Sequence, residues 1–295
     1  MDVPLAQQEA DRPLAGARVL VTRSPERSTG LVSALSAAGA SVVLLPLIDF
    51  ERAADQHALD VACDALGAGA YSWLVLSSAT TVQVLAAKAA ERGLTLGSWL
   101  PAATRVAAIG PATRRLLEAN GVRVDRVPSG DQSAAGLLAD WPAGTGSLLL
   151  PQADIAASRL AIGLRAAGHD VTVVTAYRTV DFPAAPERRL HMIAEADHDG
   201  GKAPVAPLIT PGSAAVEIAK GRISAVLAAS PSAVRRLAEL LPDQPFVLVA
   251  IGRSTADQAA ALQVPVAAVA ADPSPAGLVA AVIAAVRPGL SCAPP

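Results

Sequence analysis

Val171-Thr172-Val173-Val174-Thr175-Ala176-Tyr177-Arg178-Thr179-Val180 begins as a buried strand rich in β-branched residues and then breaks into polar groups around one tyrosine. The chain has only two tyrosines, and aromatic residues make up 3% of it. An aromatic placed where a strand runs out into Arg178, Thr179, Asp181 and Pro183 reads as more than core filler. Upstream lie an apolar strand at 147–150 and a helical pattern at 155–167 stopped by Gly168. Strand, helix and strand with short turns form a βαβ unit, which favours a parallel sheet.

The same unit opens the chain. Val19-Leu20-Val21-Thr22, a helix, and Ala38-Gly39-Ala40-Ser41-Val42 match Leu148-Leu149-Leu150-Pro151, a helix, and Ala167-Gly168-His169-Asp170-Val171. Three further pairs follow in order. Leu76-Ser77-Ser78-Ala79-Thr80 matches Ala228-Ala229-Ser230-Pro231-Ser232. Ala108-Ile109-Gly110-Pro111-Ala112-Thr113 matches Ala250-Ile251-Gly252-Arg253-Ser254-Thr255. Ser133-Ala134-Ala135-Gly136-Leu137 matches Ser274-Pro275-Ala276-Gly277-Leu278. An internal repeat of this kind fixes the architecture. Each copy has a two-strand front half and a three-strand back half, enough for one five-stranded doubly wound sheet.

The remaining elements are read from caps and runs. A helix starting at Ser24-Pro25 should run to Ala38, and others should cover 55–67, 80–92, 111–121 and 187–196. Strands are expected at 72–76, 105–109, 122–127, 223–228, 246–250 and 264–269, with a last helix at 275–287. Residues 197–212 are rich in Gly and Pro and read as a flexible surface insertion. Residues 1–14 and 289–295 are expected to be disordered. Front and back halves could pair in tandem, or residues 15–46 could pair with 183–288 around an inserted 51–175. The extended exits at 47–50 and 176–182 favour the insertion; the residues alone leave both open.

Composition narrows the function. The 295 residues allow two domains with separate cores, and 52% of them are apolar, mostly small. A net charge of -2 argues against nucleic acid as a partner. Lysine occurs only at 88, 202 and 220, so the positive charge is nearly all arginine, a bias that suits carboxylate capture and that a GC-rich genome also produces. Cys63 and Cys292 cannot form a disulfide framework, and the histidines at 57, 169, 191 and 198 show no metal spacing. There is no signal core and no run near the roughly 20 apolar residues that span a bilayer. A cytoplasmic protein without membrane contact is the expectation.

Val21-Thr22-Arg23, Leu76-Ser77-Ser78, Ala108-Ile109-Gly110-Pro111-Ala112-Thr113, Tyr177-Arg178-Thr179, Ala229-Ser230-Pro231-Ser232 and Ile251-Gly252 with Thr255 together resemble the uroporphyrinogen-III synthase family. The resemblance runs in order over nearly all of 15–288. It implies two flavodoxin-like, doubly wound, parallel-sheet α/β domains, one inserted in the other and joined by a two-stranded linker. It implies no cofactor, a monomer, and one substrate, the linear tetrapyrrole hydroxymethylbilane. The implied reaction closes it to uroporphyrinogen III, with loss of water and inversion of the last ring through a spiro intermediate. Transient contact with the preceding pathway enzyme goes with this. Ser24, Thr80, Gln152 and the insertion at 197–212 depart from the family pattern.

Such a substrate carries many carboxylates and must still curl. Helix N-termini suit it, because their free N–H groups and positive dipole ends accept anions at the C-terminal ends of strands. Candidates are Ser24-Pro25, Ser78-Ala79-Thr80, Gly110 to Thr113, Ser230-Pro231-Ser232 and Gly252 to Thr255. The blander reading makes these hydroxyls plain caps, each worth about 1 kcal/mol. The resemblance assigns substrate contacts to Thr113, Ser230 and Thr255, with Thr255 favoured over Thr113; Arg23, a cation at a strand end, and Ser78 and Gly252, at helix starts, are the further candidates for substrate binding. It assigns help with water loss to Tyr177, whose phenol, with an ordinary pKa of about 10, keeps its proton at neutral pH. On this reading Tyr177 sits at the return crossing between the domains and overlooks their cleft. The alternatives are a linker tyrosine packed on a helix and, for the arginines, surface ion pairs. His169, after a helix-ending glycine, is expected to be exposed. Gly110 and Gly252 make no GxGxxG loop, which argues against a dinucleotide. A non-catalytic relative sensing a tetrapyrrole or another anion is the rival function; a solute-binding protein is a third.

Overall fold

Successive residues of a strand face opposite sides of its sheet, and in β1 (Arg18–Val21) both sides are apolar. Val19 and Val21 join one buried cluster and Leu20 joins another. That pattern marks a strand covered on both faces, and each such side chain contributes about 1.5–3 kcal/mol by leaving water. β2 (Ser41–Leu44), β8 (Ala225–Ala228), β9 (Leu248–Ala250) and β10 (Val266–Val269) complete a five-stranded sheet ordered β10-β9-β8-β1-β2. Every pairing is parallel. Taken in chain order this is the doubly wound 2-1-3-4-5 arrangement, with its switch point between β1 and β8. One face is covered by α1 (Thr29–Ala37), through Leu31, Val32 and Leu35, and by α11 (Pro275–Val286), through Leu278 and Val282. The other is covered by α8 (Pro211–Ala219), α9 (Pro231–Leu240) and α10 (Arg253–Ala261), through Ile218, Val234, Leu237 and Ala259.

This computed structural model describes residues 12–190, 206–242 and 244–287. They divide into two compact units. Unit 1 takes residues up to Asp49, Asp181–Pro183 and those from 206 onward; unit 2 takes Phe50–Val180 and 184–190.

The sheet of unit 2 is ordered β3-β7-β6-β4-β5, from β3 (Ile48–Arg52), β4 (Trp73–Leu76), β5 (Arg105–Ala108), β6 (Ser147–Ala153) and β7 (Asp170–Asp181). The pairings among β4, β5, β6 and β7 are parallel. One face packs Trp73, Val75, Leu148, Leu150 and Val171 against α6 (Ala134–Ala139) and α7 (Arg159–Ala166). The remaining helices are α2 (Gln56–Gly67), α3 (Ala79–Glu91), the short α4 (Leu96–Trp99) and α5 (Pro111–Ala119), with α3 lying against β4 and β6.

The internal repeat has a physical signature in both units. Ser133 and Ser274 cap α6 and α11, accepting hydrogen bonds from Gly136 N and Gly277 N. A Cβ at Gly136 would stand 1.9 Å from the Asp131 carbonyl oxygen, and one at Gly277 would stand 2.5 Å from that of Asp272. The chain folds back so closely over each helix start that only glycine fits.

Several expectations need correction. The segment at 122–127 is not a strand; it makes a single bridge, Arg126 to Ala107. The fifth strand of unit 2 is instead β3, on the opposite edge and within the expected linker. Likewise β7 does not end near 175 but continues through 176–181. Ser24 makes no side-chain cap; Pro25–Arg27 is one 3-10 turn, and the helix begins at Thr29. Residues 12–14 are ordered: Leu14 is fully buried and its N–H bonds to Ala38 O. The rest of the two tails expected to be disordered, 1–11 and 289–295, lies outside the described residues, as do 191–196 of the expected helix at 187–196. Its described part is a turn with an antiparallel bridge from Arg189 to Glu51. Of the supposed insertion, 206–212 is no loose loop. Leu208 bridges Leu44, Thr210 caps α8, and Pro211 takes its first turn, where a missing N–H costs nothing.

Candidate functional site

In unit 2 the residues of interest gather where β4 and β6 end, beside the stretch of β7 around Tyr177 and the switch point between β4 and β6. Ser78, half-buried, leaves β4 in an extended conformation and caps α3 by accepting a hydrogen bond from Thr81 N at 3.1 Å. Its Oγ also lies 2.9 Å from Thr81 Oγ1 and 3.2 Å from the phenol oxygen of Tyr177. Ser78 is therefore a cap whose hydroxyl also meets the phenol of Tyr177.

Tyr177 is buried, with 6% of its surface exposed. Its ring meets Phe50 edge-on, with centroids 5.3 Å apart at 87°. Its backbone is clasped by the turn after β6: Asp154 N donates to Tyr177 O at 3.0 Å, and Thr179 N donates to Asp154 Oδ1 at 2.9 Å. Next door, the carboxylate of Glu51, only 4% exposed, lies 3.3 Å from Nη1 of Arg178 and 3.3 Å from Nε of Arg188. It also accepts the N–H of Ala185 at 3.2 Å. A buried carboxylate is costly unless paired in this way. Phe50, Glu51 and Asp154 thus hold Tyr177 and Arg178 from both sides. None of the three was singled out from sequence; the alternation Phe50-Glu51-Arg52 is the only local signal, and the partners lie far along the chain. Arg178, left ambiguous by the sequence, is here the partner of Glu51.

Thr113 lies in the first turn of α5, with 4% of its surface exposed. His169 corrects an expectation: it is buried at 7%, edge-on to Trp141 with centroids 5.9 Å apart, because the turn after α7 folds under that ring. Burial pushes the Cys63 thiol up to about 11, so at neutral pH it is protonated and a poor nucleophile. Among the described residues no group of three His, Cys, Asp or Glu could hold a metal ion. Nor is any helix among them long and apolar enough to cross a membrane.

In unit 1 the corresponding turns carry the other candidates. Thr22 Oγ1 donates to Leu227 O at 3.1 Å and accepts Ala229 N at 3.2 Å, tying β1 to β8 at the switch point. Arg23 follows, half-buried, with Nη1 3.4 Å from Arg27 O. Ser230 caps α9 by accepting Ala233 N at 3.1 Å and lies 3.0 Å from Ser232 Oγ. Gly252 caps α10 with extended backbone and no side-chain bond, and a Cβ there would meet nothing within 4 Å. Thr255 is 1% exposed, and its Oγ1 has no hydrogen-bond partner among the described residues. A buried hydroxyl left without a partner costs about 1–3 kcal/mol, so Thr255, in the first turn of α10, stands out among the hydroxyls at the helix starts. Ser78, Tyr177 and Thr113 belong to unit 2; Arg23, Ser230, Gly252 and Thr255 belong to unit 1.

A family model described as uroporphyrinogen-III synthase HemD matches residues 29–280. The uroporphyrinogen-III synthase of Synechococcus elongatus is 30% identical over 119 residues, 40% of this chain and 43% of that protein. The match therefore spans less than half of that relative's length. A mutant uroporphyrinogen III synthase from the extremely thermophilic bacterium Thermus thermophilus superposes with a TM-score of 0.61 at 19% identity, covering 89% of this chain and 96% of that one. The uroporphyrinogen-III synthetase of Helicobacter pylori does so at 0.50 and 13% identity, covering 89% and 96%. At these identities the structural likeness is one of fold. Nothing in these comparisons supports the regulatory reading.

Proposed function

The chain belongs to the uroporphyrinogen-III synthase family, and from that premise we propose that it closes hydroxymethylbilane to uroporphyrinogen III, a cyclising loss of water with inversion of ring D. The observation that carries the reading furthest is the phenol of Tyr177 held 3.2 Å from Ser78 Oγ at the C-terminal end of the sheet. A phenol keeps its proton at neutral pH and can donate it to a departing hydroxyl. In this scheme the C–O bond of the hydroxymethyl group breaks, the electron pair leaves with oxygen, and the Tyr177 proton completes the water. The azafulvenium so formed is attacked by the substituted carbon of the last ring to give the spiro intermediate; the original bond from that carbon to its bridge then breaks, the free α-carbon of the same ring bonds to the bridge instead, and the proton lost from that carbon restores the Tyr177 phenol. Because azafulvenes form readily, Tyr177 supplies only part of the rate; steering the closure is the larger task.

Substrate carboxylates have suitable partners at the helix starts. Thr255 offers a buried hydroxyl without a partner among the described residues, and beside it the space over Gly252 is open. The first turns of α3, α5, α9 and α10 present N–H groups and positive dipole ends. Arg23 adds a cation at the end of β1. A cytoplasmic monomer, meeting the preceding enzyme transiently to receive an unstable substrate, fits the same scheme. The test is to give purified protein fresh hydroxymethylbilane and separate the products. Enrichment in the type III isomer is expected; the type I isomer alone, the product of unassisted closure, would refute the proposal.

A further inference from the structure

We propose that Thr81 is a positioning residue for the phenol of Tyr177, acting through Ser78. The inference rests on the reading of Tyr177 as the proton donor. Thr81 lies in the first turn of α3 with none of its surface exposed. Its hydroxyl has one hydrogen-bond partner among the described residues, Ser78 Oγ at 2.9 Å. That same oxygen accepts the backbone N–H of Thr81 at 3.1 Å and lies 3.2 Å from the phenol oxygen of Tyr177.

Either member of each hydroxyl pair could donate, and counting hydrogens settles the direction. A hydroxyl has one hydrogen and two lone pairs. A buried O–H without an acceptor is costly, whereas an unused lone pair costs less. Thr81 O–H therefore points at Ser78 Oγ, the acceptor within its reach. The lone pairs of Ser78 are then filled by the N–H and the O–H of Thr81. Its own hydrogen is left for the phenol oxygen of Tyr177. Tyr177 accepts from Ser78, and its proton is directed away from Ser78, as a donor to a leaving group requires. A donor to the phenol oxygen also stabilises the phenolate, which strengthens the acid. Without the Thr81 hydroxyl, Ser78 regains a lone pair, and the phenol can turn its proton onto it. The polarity of the pair then reverses.

The test compares Thr81→Val, nearly the same shape without the hydroxyl, with Thr81→Ser, which restores it. Thr81→Ala removes the same hydroxyl and carries the same expectation if Thr81→Val folds poorly. Tyr71 is the only other tyrosine, so in a Tyr71→Phe background the ultraviolet absorbance of the phenolate reports Tyr177 alone. Thr81→Val should move that titration up by about one pH unit, with Thr81→Ser near the parent. In the isomer assay Thr81→Val should lower kcat about three- to tenfold at unchanged KM, as expected of an acid weakened by about one unit. Thr81→Ser should recover the rate. An unmoved titration would overturn the proposal, as would equal slowing by Val and Ser, which marks a packing role. A shifted titration with unchanged kcat would overturn the link to the reaction. A parent protein that forms only the type I isomer would overturn the proposed function instead, and the titration would still decide the role of Thr81.

Discussion

Replacing Ser78 removes three things whose sizes can be separated. Ser78→Ala deletes the cap of α3, worth about 1 kcal/mol. It strands the fully buried Thr81 hydroxyl, which has no other partner among the described residues, at a cost of about 1–3 kcal/mol. It also breaks the bond to Tyr177 at 3.2 Å, a net loss of about 1 kcal/mol. The sum is about 3–5 kcal/mol, large against the stability of an ordinary domain. Tyr177→Phe loses this same bond to Ser78, about 1 kcal/mol, while the ring keeps its edge contact with Phe50. In the double variant the shared bond is lost once, so its cost should fall short of the sum of the singles by about 1 kcal/mol. All three tryptophans, Trp73, Trp99 and Trp141, lie in unit 2, so their fluorescence during urea unfolding reports that unit. A coupling below about 0.3 kcal/mol would contradict a direct bond between Ser78 and Tyr177, since that is the additivity of distant sites. So would a Ser78→Ala variant no weaker than an ordinary lost cap.

Two further outcomes follow from single groups. Lys88 is buried with its Nζ 2.9 Å from Asp60 and 3.1 Å from Glu91. Burial opposes its charge, but the hydrogen bonds to both carboxylates outweigh it and raise its pKa; the bond from Lys88 in turn holds Asp60 below the usual carboxylate range. A lowered carboxylate stabilises the fold above its unfolded pKa, and that stability is lost as pH falls through the folded value. Lys88→Met should therefore cost about 1 kcal/mol near pH 7, modest because Asp60 is well exposed, and the gap should shrink below about pH 4 in urea unfolding followed across pH; a gap independent of pH would contradict this. Thr255→Val removes a buried hydroxyl that has no partner among the described residues and should raise the stability of unit 1 by about 1 kcal/mol, read by calorimetry, while raising KM for hydroxymethylbilane; a destabilised variant with unchanged KM would count against a waiting site.

The βαβ units could be read directly because β1, β4 and β8 are short apolar runs followed at once by a turn with a hydroxyl and then a helix. Physical forces there are local, and the repeat doubled the signal. The elements misjudged depend on partners far along the chain. β3 carries Asp49, Glu51 and Arg52, which look like loop residues until Arg178 and Arg188 neutralise Glu51. His169 looked exposed because the ring that covers it, Trp141, comes from another element. The segment at 122–127 has a strand's composition but bridges β5 at one residue only. The start of α8 was legible, since Thr210-Pro211 repeats the cap-and-proline logic applied at Ser230-Pro231, but the Gly and Pro around it masked the signal. At the site, Ser78 and Tyr177 are 99 residues apart. Each could be singled out from sequence, Ser78 by its turn and Tyr177 by its rarity, but not the hydrogen bond between them.

The most direct measurement is the ratio of type III to type I uroporphyrinogen in the initial products from hydroxymethylbilane, with and without the purified protein, alongside Tyr177→Phe. The expectation is mainly type III with the parent protein, and about 10- to 100-fold slower formation with Tyr177→Phe, at or below the roughly 100-fold lower bound for loss of a positioned acid because the azafulvene forms readily. A parent protein whose products match unassisted closure would contradict it.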